Sequence, residues 1–492
     1  MAGLWSGDGV LRRKPIERIE DSEGGSGQQL SRTLGLRHLT AIGVGGIIGA
    51  GVFSLAGTVA NGTAGPAVLV SFLIAGLASA CAALSYAEFA GLIPKAGSAY
   101  TYGYAVLGEI GGWFIGWDLL LEYTAIVAVV AIGISGYFSF LMNEMGAELP
   151  NWMLGAPGTG DGHRVDLFAA LLCLLIAFAL TRGIKSAARF ELIVVVLKVA
   201  VVLLVIVVGV FHIKTGNYKP FFPFGVSGAF TGAATVFFAV FGYDAMSTAA
   251  EESKDAQKHM PKAIIYSLVI SMVLYVLVCL VLTGMQNYKE IDPDSGFSTA
   301  FKSVGLSGVA DIIAVGAIIG ILTVMFTFMM GVTRVWFAMS RDGLLPKWFA
   351  KTHPVRKVPT RVTWIVGVAS AVIAGFLPIE EAAEMTNIGI LLAFVVVCVA
   401  VIVLRYKQPN LPRKFKVPGM PVVPALGVIF SLWLTTYLAW QTWVRFGVWF
   451  AIGLVVYFAY SYRRSELAKR PVGKGSGPGS DTAAPSFGKK DE

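Results

Sequence analysis

Residues 39–60 read LTAIGVGGIIGAGVFSLAGTVA, with five glycines between Gly43 and Gly51. The run is apolar and long enough to cross a bilayer, which takes about 20 residues. Glycine is nonetheless a poor residue for a continuous helix. A second run carries a matching flaw: residues 230–252 read FTGAATVFFAVFGYDAMSTAAEE, with Gly242 and Asp244 at the centre. Unwinding a helix inside a bilayer exposes N–H and C=O groups with no water to satisfy them. It is tolerated only where those groups line a cavity or meet a ligand.

Working outward, the hydropathy pattern predicts an all-α polytopic membrane protein with twelve spans. They lie at about 39–60, 67–90, 110–141, 166–182, 189–212, 229–250, 262–285, 309–333, 362–378, 384–404, 422–443 and 446–462. The third is long enough to tilt. The first five spans (39–212) and the next five (229–404) are nearly equal in length. Five is odd, so the second half enters the membrane from the opposite side. Two inverted halves, each opening with an interrupted helix, point to a secondary transporter. Spans in 422–462 are peripheral additions. Residues 1–38 read as a polar tail with no cleaved signal peptide. Residues 463–492 are rich in Gly, Pro, Ser and Lys and read as a disordered tail.

The composition agrees. Of 492 residues, 55% are apolar and 14% charged, with a mean hydropathy of +0.70. A soluble chain has about 25% charged residues. This excludes an ordinary cytosolic enzyme and a nucleic-acid-binding protein, and continuous runs exclude an outer-membrane barrel. The net charge of +9 reflects cytoplasmic loops. With the N-terminus inside, the internal loops carry nineteen Lys and Arg residues and the external loops six. That bias predicts two cytoplasmic termini. Cys81, Cys173, Cys279 and Cys398 lie in apolar runs and read as packing residues. No metal or cofactor is expected.

Several residues are candidates for chemistry. Gly49, Ala50 and Gly51 would offer amide donors to an anionic group, aided by the following half-helix; the alternative is close helix packing through small residues. Carbonyls freed around Phe241 and Gly242 would accept an ammonium. Donors on one break and acceptors on the other suit the zwitterion of an α-amino acid. Phe238 and Phe241, three apart, share a face and could gate the substrate, or simply pack. Asp118 and Glu122, four apart in GWDLLLEY, and Asp244 are deep acids of the kind that mark ion or proton paths. Asp118 reads better as a structural cap or interface residue. Lys198 sits in ELIVVVLKVAVVLLVIVVGV, nine residues beyond Arg189 and so roughly 14 Å along the helix, near mid-membrane. An ammonium against the carbonyls of the first break would take the place of a Na⁺, which favours protons as the coupling ion.

The motifs GGIIGAGVF (45–53), AGPAVLVSFLIAG (64–76), YAEFAGLIPKAGSAYTY (86–102), GWDLLLEY (116–123), FFAVFGYDAMSTAAEE (237–252) and SRDGLLP (340–346) together resemble those of the amino acid–polyamine–organocation permeases. The resemblance is to the bacterial relatives of the cationic amino acid transporters. It implies a LeuT-type five-plus-five inverted repeat with broken helices 1 and 6, and proton-coupled amino acid uptake. The family's substrate-contacting stretch falls on Ile47 through Gly51 and its proton-linked lysine on Lys198. Its third-helix acid falls on Glu122, and its gate and sixth-helix acid on Phe238, Phe241 and Asp244. Ala50 stands where many relatives have Ser or Thr. Residues 142–165 contain no Cys, which excludes a disulfide-linked heavy subunit.

The sequence reading is therefore a plasma-membrane (inner-membrane) transporter that imports cationic or neutral α-amino acids with protons by alternating access. Its partners are the amino acid, protons and lipid, with no nucleic acid. A sodium-coupled carrier or an antiporter is the alternative, and a channel a weaker one because no span repeats a ring-forming motif.

Overall fold

The computed structural model describes residues 34–93, 98–147, 149–182, 187–247, 250, 253–351 and 358–465. Both sequence-predicted tails lie outside these residues except for their inner ends. Lys95, Lys185, Arg356 and Lys357 of the basic loops also lie outside them.

Within the described residues the chain is all-helical. The main helices are α1 (Leu36–Ile47), α2 (Val68–Leu92), α3 (Ser98–Val106), α4 (Glu109–Glu144), α5 (Leu167–Arg182), α6 (Ala187–Gly209), α7 (Gly225–Val236) and α8 (Tyr243–Ser247). They continue as α9 (Ala256–Met285), α10 (Gly296–Ser303), α11 (Ser307–Arg341), α12 (Thr360–Phe376), α13 (Ile379–Lys407), α14 (Val422–Thr435) and α15 (Trp440–Val456). Among the described residues eight helices are long and apolar enough to cross a membrane, and α5, α12 and α14 are shorter apolar helices. The arrangement is polytopic.

Two boundaries differ from the sequence reading. Residues Gly51–Leu92 form a single run of π, 3₁₀ and α turns that takes in parts of two expected spans. The run turns at Gly65, whose φ of +64° lies where a glycine is favoured. The expected eleventh span, 422–443, ends early at Thr435, and a new helix begins at Trp440. The cause is distant in sequence: Glu384 of α13 accepts bonds from the Ala439 amide (3.2 Å) and the Thr442 hydroxyl (2.7 Å), which caps the start of α15.

The helices pack in two groups. One brings together α1, α2, α7 and α9, with α8 against α1; the other brings together α4, α5, α11 and α12. Two further helices touch both groups: α6 packs on α1, α9 and α11, and α13 on α2, α4 and α7. The interior of each group is apolar, and small residues bring the backbones close: Ala, Gly and Ser recur among the buried positions of α2.

Candidate functional site

The first glycine run does break its helix. α1 ends at Ile47, Ile48 is extended (φ −73°, ψ 106°), and helical turns resume at Gly51. Three freed carbonyls are met by side chains from other helices. Lys198 of α6 donates to Gly45 O and to Ile48 O, the latter at 3.0 Å. Tyr275 of α9 donates to Ile47 O at 2.7 Å. Lys198 is fully buried, and its Nζ also lies 3.5 Å from Gly320 O and Thr323 Oγ1 on α11. Among the described residues the Gly49 and Ala50 amides donate to no backbone carbonyl, so they remain as donors at the start of the second half-helix.

The second break follows the same physics. α7 passes into a 3₁₀ turn over Phe237–Val240, Phe241 is extended, and Gly242 has φ +118°, a conformation other residues rarely adopt. The Asn387 amide of α13 donates to Ala234 O (2.8 Å) and Thr235 O (3.0 Å), and Ser79 of α2 donates to Val240 O at 2.8 Å. Gly242 O accepts a long 3.4 Å bond from the Met246 amide.

The two breaks meet. A Cβ on Gly242 would stand 2.7 Å from the carbonyl of Gly46 and 3.0 Å from the amide of Ile47. One on Gly51 would stand 2.3 Å from the Ala239 methyl. Gly46, Gly51 and Gly242 are thus spacing residues that let two unwound backbones touch.

The aromatic and acidic candidates gather on the α4 side of this crossing. Phe238 and Phe241 contact edge to face with centroids 5.7 Å apart. Phe241 in turn meets Phe328 of α11 at 5.9 Å, and Phe328 meets Tyr123 of α4 at 5.1 Å. The Tyr123 hydroxyl donates to Asp244 Oδ2 at 2.5 Å. Glu122 is 3% exposed, its Oε2 has no hydrogen-bond partner among the described residues, and it interacts electrostatically with Asp244 and Asp118. Lys198 bonds instead to backbone carbonyls on the α6 side of α1. The structure therefore brings Ile47, Gly49, Ala50, Gly51, Phe238, Phe241, Asp244 and Glu122 to one crossing, with Lys198 beneath the first break. Of the two structural readings the sequence offered for Asp118, the cap fails and the interface position holds, since its carboxyl lies against Gly389 of α13. Asp118 lies inside α4 and makes no hydrogen bond among the described residues.

Tyr275, Asn387, Ser79 and Tyr123 are site residues the sequence reading missed. Each is a polar group in an apolar run, which is a signal for an interhelical bond. The partner, however, lies 228 residues away for Tyr275 and 153 and 152 away for Asn387. No local pattern reports that.

A family model described as amino acid permease matches residues 34–460. The chain is 46% identical over 460 residues to a methylthioribose transporter of Bacillus subtilis, covering 94% of this chain and 99% of that one. It is 47% identical over 461 residues to the branched-chain amino acid permease BcaP of the same organism, covering 93% and 99%. It is 38% identical over 407 residues to the vacuolar cationic amino acid transporter 4 of Arabidopsis thaliana, covering 82% and 68%.

Proposed function

The chain belongs to the amino acid permease family, a family of membrane transporters and not of enzymes, and on that premise we propose that it imports α-amino acids across the plasma membrane in symport with protons, by alternating access. The carrying observation is the crossing of two broken helices in backbone contact. Amide donors at Gly49–Ala50 suit a carboxylate. The Phe241 and Gly242 carbonyls beside Asp244 suit the ammonium, and Phe238 and Phe241 cover the pair. Ile47 and Gly51 line the same turn.

Protonation supplies the drive in this reading. Lys198 fills the carbonyl cage of the first break as a cation, and loss of its proton weakens that contact. Glu122, buried beside Asp244, is the second proton-carrying candidate. Protonation thereby biases one orientation of the carrier.

The proposed architecture is twelve spans with a five-plus-five inverted repeat, 39–212 and 229–404, followed by 422–462, and both termini cytoplasmic. The packing supports it. The fifth span, α6, touches the first, seventh and eighth spans, and the tenth, α13, touches the sixth, second and third. Exchanging the halves maps one contact set onto the other.

The reading is tested in proteoliposomes. Wild type should accumulate labelled amino acids under an acid-outside gradient and be indifferent to replacement of Na⁺ by K⁺. Dependence on Na⁺ would overturn the proton reading. Failure of every amino acid in a panel to stabilise the purified protein against heat would overturn the substrate reading, because a ligand of the native state raises its melting temperature.

A further inference from the structure

Asp118 is 1% exposed, in the interior of α4. Among the described residues its buried Oδ1 has no hydrogen-bond partner. The carboxyl lies against the backbone of α13, where a Cβ on Gly389 would stand 2.6 Å from Oδ1. One helical turn away, Glu122 presents the same face of α4, and among the described residues its buried Oε2 likewise has no hydrogen-bond partner.

Glu122 is the acid that interacts electrostatically with Asp118; the other nearby titratable groups are engaged elsewhere. On α4, Glu109 accepts from Tyr457 and Ser465. On α8, Asp244 accepts from Tyr123. On α3, Tyr100 donates to Asp342. Among the described residues, α5, α11, α12 and α13 place no acid or base in hydrogen-bond or ion-pair contact with Asp118. Burying a lone carboxylate costs far more than burying the neutral acid.

We propose that Asp118 is a proton-exchanging residue of the transport cycle, acting in series with Glu122. In the conformation described here it is a carboxylic acid against Gly389. When α4 and α13 rearrange and water enters, its O–H bond breaks, the proton passes to water, and the electron pair stays on the carboxylate oxygen. A new O–H bond forms on that water, giving hydronium, and no other bond changes. Asp118 lies one turn nearer the Glu109 end of α4 than Glu122 does, so it serves the route between the crossing and that end of the helix. This assignment rests on the proton-symport reading above.

The test compares two activities of full-length carrier in liposomes: accumulation under an acid-outside gradient, and counterflow of labelled substrate at equal pH on both sides. In Asp118→Asn, which is isosteric and cannot exchange a proton, the ratio of accumulation to counterflow should fall by at least about tenfold relative to wild type. A ratio within about twofold of wild type overturns the assignment, whatever the total rate. Should the variant yield no measurable counterflow, Gly389→Ala decides. Its methyl must turn the carboxyl, and the pH of half-maximal accumulation should move by at least about half a unit. An unmoved pH dependence then overturns the role. A wild-type carrier that ignores the gradient overturns the symport reading itself, an outcome distinct from failure of the Asp118 assignment alone.

Discussion

At the scale of single residues, the cost of burying Lys198 decides what it must do. A fully buried ammonium has three donors to satisfy, and it finds carbonyls of the first break and groups on α11. Lys198→Ala removes the cation and leaves Gly45 O and Ile48 O unmet. Lys198→Arg keeps the charge but cannot release a proton. It must also fit beside Gly320, where a Cβ would stand only 2.8 Å from the Lys198 Cβ. Both variants are expected to lose gradient-driven accumulation by at least about tenfold, measured in liposomes. Undiminished accumulation by Lys198→Arg would leave Glu122 and Asp118 as the carriers. Gly242→Ala is a second expectation at this scale. Its φ of +118° adds about 1–3 kcal/mol of strain to a 2.7 Å backbone clash with Gly46. A lower melting temperature and lost substrate stabilisation should follow, and normal binding would show that the crossing can open without loss. Lys198 and the glycines were legible because a charge in an apolar run and glycines clustered in one span are local anomalies. Tyr275 was not, because its Ile47 partner is brought to it by packing alone.

Among elements, the broken helices are held from outside by hydrogen bonds from unbroken ones. Asn387 shows how: one amide on α13 supplies both donors to Ala234 and Thr235 where α7 tightens. Asn387→Leu keeps the volume and removes both bonds, leaving two buried carbonyls unmet at about 1–3 kcal/mol each. The expected result is weaker substrate stabilisation in a thermal-shift titration with the fold retained. Unchanged affinity would mean that the 3₁₀ turn holds its shape without α13. The Phe238–Phe241–Phe328 chain separates two roles by a similar comparison. Phe241→Ala should let preloaded substrate leak from liposomes if the ring is a cover. If uptake and leak are both normal, the ring only packs. The apolar helices were the most legible part of the fold because hydropathy marks them directly. The turn at 436–439 was not, because the cap that starts α15 comes from Glu384 on another helix.

For the whole molecule, the proposed inversion carries most weight: it would make two halves of like packing face opposite ways. It makes each loop's side predictable from one assignment. In the proposed architecture the internal loops hold nineteen Lys and Arg residues and the external loops six, so the electrostatic preference for a basic cytoplasmic face would put the loop after α11 inside and the loop between α4 and α5 outside. The two loops are separated by an odd number of proposed spans, so they must lie on opposite sides if the count is right. Gly160 and Lys351 test this, since both are exposed. The four native cysteines are buried and give little background. Cysteine at Gly160 should react with a membrane-impermeant maleimide in intact cells, and cysteine at Lys351 should react only after the cells are opened. Labelling of both from outside would place an even number of spans between them and break the repeat. The reverse pattern would keep the repeat but turn the protein over. The end of α4 that holds Asp118 would then face outward, and the proton route assigned to it would run to the wrong side for import.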